Sequence, residues 1–100
     1  MKTAAARMDA KEQLAALADL AESLGMEIRR APAAEGDGHP GGAVIRLKGR
    51  LIIFLDESAS VAERIAVLAG ALAGREEIAG MFLPPVLREL IEKAGEFPAP

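Results

Sequence analysis

One hundred residues, 51% of them apolar, suit a single domain with one core spanning residues 1–100, and a net charge of −3 speaks against a nucleic-acid surface. The chain has no cysteine, tryptophan, tyrosine or asparagine, and His39 is its one histidine, which excludes disulfides, thiol catalysis, iron–sulfur clusters and cysteine-held zinc. No stretch reaches the ~20 apolar residues of a membrane span and no leader is evident, so a cytoplasmic protein without metal or cofactor is expected.

Taken in chain order, residues 1–8 are expected to fray. Asp9 with Glu12 three residues on has capping-box spacing, and Leu14, Leu17, Ala18, Ala21 and Leu24 then recur on one helical face until Gly25 stops the helix. Met26-Glu27-Ile28-Arg29 alternates as a short strand, Pro32 ends it, and residues 32–42, dense in Gly and Pro, read as a flexible loop. Residues 43–56 form a hairpin. If Lys48-Gly49-Arg50 makes its turn, Ile45, Leu47, Leu51, Ile53 and Leu55 share one face, and Val44, Arg46, Ile52 and Phe54 share the other. The second arm is apolar on both faces, as in a central strand covered on both sides, whereas the first arm reads as an edge guarded by Arg46 and Lys48.

Ser60 with Glu63 forms a second capping box. Behind it Val61, Ile65, Leu68 and Leu72 make a core stripe beside a row of small residues, Ala62, Ala66, Gly70 and Gly74. Glycine inside a helix costs about 1 kcal/mol relative to alanine, so close packing against another segment is expected along that row. Residues 78–83 are expected to add a fourth strand through a parallel crossover. Pro84-Pro85 then opens a last helix with Leu87, Leu90, Ile91 and Ala94 inward, and residues 96–100 fray. The expected fold is α/β, of mixed α+β type, with the order αβββαβα and a four-stranded mixed sheet.

Three groupings could carry chemistry. Gly36-Asp37-Gly38-His39-Pro40-Gly41 spells G-x-G-x-x-G, but it leads into a strand rather than a helix, and Pro40 removes an amide donor, so it reads as a surface loop. His39 has no converging ligand set beyond Asp37. Asp56, Glu57 and Ser58 sit at the end of the central strand, where α/β proteins place ligands. That phrase resembles the phosphatase pattern of the haloacid dehalogenase group, in which a second aspartate stands two residues after the first; Ser58 occupies that place here. Helix capping explains the same residues. Residues 26–50 also concentrate Arg29, Arg30, Arg46, Lys48 and Arg50 against Glu27, Glu35 and Asp37, a local net of +2 that leaves −5 elsewhere. An anion could use Arg29 and Arg46, and a solvated, guarded edge accounts for the same charges.

Gly49-Arg50-Leu51-Ile52-Ile53-Phe54-Leu55, then Glu63-Arg64 and Leu68-Ala69, resemble the front half of the ImmA/IrrE-like zinc metallopeptidases over residues 12–74. In that family Leu-Ala is followed by His-Glu-Leu-Gly-His, whose histidines hold zinc and whose glutamate activates water. Here those five positions read Gly70-Ala71-Leu72-Ala73-Gly74, so the resemblance implies a related fold without the metal or the peptidase chemistry. The whole chain also resembles small uncharacterised bacterial proteins with the phrases Gly41-Gly42, Leu47-Lys48-Gly49-Arg50, Phe54-Leu55-Asp56 and Phe82-Leu83-Pro84-Pro85. The expectation is a non-catalytic interaction or regulatory module that self-associates or binds another protein, with the small row Ala62, Ala66, Gly70 and Gly74 and the uncovered hairpin edge as its docking features. The alternative is a small hydrolase or anion-binding protein built on Asp56, Glu57 and Ser58 with the arginines.

Overall fold

A computed structural model describes residues 8–31 and 42–96 of the chain. The helix α1 spans Ala10–Ser23 and starts as its sequence dictates. The Asp9 carboxylate accepts the Glu12 N–H at 2.8 Å, and Glu12 accepts the Asp9 N–H at 2.9 Å, which satisfies two of the donors that a helix start leaves unpaired. Gly25, at φ +89°, lets the chain turn off α1 into Met26 and the strand β1, Glu27–Ala31. The strands β2 (Gly42–Leu47) and β3 (Arg50–Asp56) follow. Ser60 then caps the helix α2 (Val61–Ala73) in a second reciprocal box with Glu63, at 3.1 and 3.0 Å. A short 3-10 helix, Glu76–Gly80, leads to α3 (Pro85–Glu96).

The described sheet has three strands in the order β1-β3-β2, with β1 parallel and β2 antiparallel to β3. The chain is thus a mixed α+β domain, and the expected strand over residues 78–83 is corrected. Those residues start inside the 3-10 helix and continue as irregular backbone. Ile78 is buried there among the helices, so its apolar character belongs to the core rather than to a sheet. The parallel crossover that the fourth strand would have required falls with it.

The hairpin brings a second correction. Lys48 and Gly49 take φ +53° and +79°, the left-handed pair of a two-residue turn, and Leu47 pairs directly with Arg50. The expected turn was one residue longer, and a one-residue shift reverses every side chain of a strand. Val44 and Arg46 therefore share the face of Leu51 and Ile53, while Ile45 and Leu47 join Ile52 and Phe54 on the opposite face.

All three helices lie on the first of these faces. α1 packs on β1, α2 lies across β2 and β3, and α3 packs on α2. Leu17, Ile53, Leu55, Leu68 and Leu72 are fully enclosed between these layers, each worth about 1.5–3 kcal/mol of burial. The other face, made of Ala43, Ile45, Leu47, Ile52 and Phe54 with Glu27, Arg29 and Arg50, carries no described helix, so the expected cover on both sides of β3 is found on one. Ile52 at its centre is nevertheless only 5% exposed. The expected loop over residues 32–42 lies outside the described residues except for Gly42, which is the first residue of β2. His39, the glycine-rich string and the outermost terminal residues also lie outside them.

Candidate functional site

At the end of β3, Asp56 is half-buried, and its Oδ1 accepts both the Ser58 N–H at 2.9 Å and the Ser58 hydroxyl at 2.7 Å. The Asp56 carbonyl accepts the Ala59 N–H at 3.0 Å. Together these bonds form an Asx turn that delivers the chain to the Ser60 cap. Glu57 and Ser58 are exposed.

The arginines divide between the two faces of the sheet. Arg29 stands beside Phe54 in register, with its guanidinium 6.0 Å from the ring centre, and its Nε donates to Glu27 Oε2 at 2.5 Å. Arg50 Nη1 reaches the other Glu27 oxygen at 3.5 Å. The hydrogen bond from Arg29, against some desolvation and reinforced by the charges of Arg29 and Arg50, holds the Glu27 carboxyl below the usual glutamate range. Arg29 and Arg50 thus meet at Glu27. Arg46 pairs with Leu51 on the helix side, five residues and roughly 17 Å of strand away from Asp56. Arg30 and Lys48 are exposed. The acidic phrase and Arg46 therefore sit at opposite ends of the sheet.

Arg46 instead borders an open cleft of about 730 Å³ between the free edge of β2 and the end of α2, lined also by Val44, Leu51, Gly74, Glu76 and Glu77. Arg75, at the same place, binds Glu77 at 3.1 Å and lowers its pKa through that hydrogen bond. Among the described residues Arg46 and Glu76 form no ion pair. Ala62, Ala66, Gly70 and Gly74 are all exposed, and a Cβ placed at Gly70 or Gly74 would meet nothing within 4 Å. No described segment of the chain approaches that row.

The most conspicuous surface lies at residues that patterning had assigned to an edge or to the core. Val44, Ile45 and Leu47 are 43%, 44% and 53% exposed, all on β2, and Phe82 projects wholly into solvent. The segment that carries Phe82 is clamped: Arg88 Nη2 donates to the Ile78 carbonyl at 3.3 Å and to the Met81 carbonyl. The signal for the β2 exposure was the Lys48-Gly49 dipeptide, whose two-residue turn sets which residues face out. No comparable signal marks the Arg88 clamp, because its partners are backbone carbonyls.

Among the described residues no three His, Asp or Glu side chains converge as metal ligands would, and no helix is long and apolar enough to cross a membrane. Comparison with family models, with curated proteins and with solved structures found no match.

Proposed function

We propose that this protein is a non-catalytic interaction module that binds protein through β2 and the open sheet face beside it. The observation that carries this reading is the concentration of exposed apolar side chains on one edge strand: among the described residues, three of the four large exposed hydrophobics are Val44, Ile45 and Leu47. Scattered exposed apolar residues are ordinary, whereas a contiguous apolar strand with a free hydrogen-bonding edge is a surface made for pairing. The chemistry available at the end of β3 supports the same reading, since the Asp56 carboxylate already serves its own turn. On this view the sequence resemblance to the zinc metallopeptidases, whose two histidine positions read Gly70 and Gly74 here, is one of frame alone.

Replacing Ile45 and Leu47 together by lysine tests the proposal. Both side chains are about half exposed, so the variant is expected to keep its circular dichroism and thermal midpoint while losing association, measured by light scattering and by chemical cross-linking. Association that survives the double substitution contradicts the proposal. So does a phosphatase or esterase activity that disappears in Asp56→Asn.

A further inference from the structure

We propose that the partner of this surface is a second copy of the chain, joined by antiparallel pairing of β2 with β2 about a twofold axis passing beside Ile45; this rests on the interaction reading above. The pairing would make one six-stranded sheet in the order β1-β3-β2-β2-β3-β1.

The backbone sets the first condition. The two-residue turn makes Leu47 and Arg50 a hydrogen-bonded pair, so Ala43, Ile45 and Leu47 direct their amides and carbonyls to β3. Val44 and Arg46 direct theirs to the open edge. In a twofold pairing centred on Ile45, Val44 of each copy lies opposite Arg46 of the other, so outward groups meet outward groups and four hydrogen bonds close. Ile45 faces Ile45 as a non-hydrogen-bonded pair on the outer face, and Leu47 faces Ala43.

Charge sets the second. In this register no two cations are directly opposed: Arg46 meets Val44, and Lys48 meets Gly42. A register shifted by one pair, centred on Arg46, would instead oppose two guanidiniums, which is destabilising. Centring on Ile45 also raises Arg46 of the second copy beside Val44, at the mouth of the cleft that carries Glu76 and Glu77. Each copy thereby brings an Arg46 to the other's cleft, where Glu77 is held by Arg75 and Glu76 forms no ion pair among the described residues.

Helix spacing sets the third. α2 lies across β2 and β3, so a sheet continued at about 4.8 Å per strand puts the two α2 helices roughly 10 Å apart. That is the ordinary separation of packed helices. Ala71 and Gly74, the small residues that line the cleft beside β2, leave room for this approach.

Because the chain has no cysteine, a single introduced thiol reports the register. Cα atoms in a non-hydrogen-bonded antiparallel pair lie about 4.5 Å apart, within disulfide range. Ile45→Cys is expected to form a covalent dimer under mild oxidation. Leu47→Cys, whose two copies would lie more than ~10 Å apart along the strands, is expected not to. The unsubstituted protein should sediment as a dimer at high concentration. A protein that stays monomeric at every concentration overturns the proposal and leaves the interaction reading to the lysine variant with other partners. A dimer in which Ile45→Cys fails to link, or links no better than Leu47→Cys, overturns this edge pairing while keeping self-association.

Discussion

At the residue scale, Gly42 shows how one position fixes the hairpin. Its φ of +140° is reserved for glycine, and a Cβ built there would lie 1.8 Å from the Phe54 carbonyl oxygen, a backbone atom that cannot step aside. Gly42→Ala should therefore cost more than the ordinary loss for a strained glycine, on the order of 2–4 kcal/mol, and its effect should reach β2 before the helices. Chemical denaturation measures the loss; an unchanged midpoint would mean that the backbone there relaxes freely. Asp56 teaches the complementary lesson. A carboxylate at the end of a central strand invites a catalytic reading, and here the Ser58 amide and hydroxyl both donate to its Oδ1 in the turn that leads the chain into α2.

At the element scale, α2 separates what its sequence makes legible from what it does not. The core stripe Ile65, Leu68 and Leu72 is buried as its periodicity predicts, and Ser60 and Glu63 close the capping box their spacing announces. The neighbouring small row faces outward, so Gly70 spans open space. Gly70→Ala is then expected to stabilise dilute protein by about 0.5–1 kcal/mol, raising the thermal midpoint, because helix propensity improves with no clash. A fall in the midpoint would mean that another backbone already occupies that place. The caps, the helix faces and the edge position of β2 could all be read from sequence, since each depends on residues close in the chain. The side assignment of β2 could not be read from alternation alone. Alternation defines two faces, but only the left-handed pair Lys48 and Gly49 decides which face meets the helices. Residues 78–83 misled for a related reason: Ile78 is apolar because it plugs the helical layer from a 3-10 turn, a tertiary role that mimics a short buried strand.

At the scale of the whole molecule, the three described helices lie on one side of a three-stranded sheet, and among the described residues no helix covers the other face. On that face Glu27 binds both Arg29 and Arg50, while among the described residues Arg46 and Glu76 on the helix side form no ion pair. The proposed association at β2 would complete the sheet edge. Amide hydrogen exchange followed residue by residue against protein concentration tests that claim most directly. Ile45 and Leu47 amides, bonded to β3, should exchange at nearly the same rate throughout, while those of Val44 and Arg46 should slow markedly as concentration rises. Exchange at Val44 and Arg46 that is fast and indifferent to concentration would contradict it.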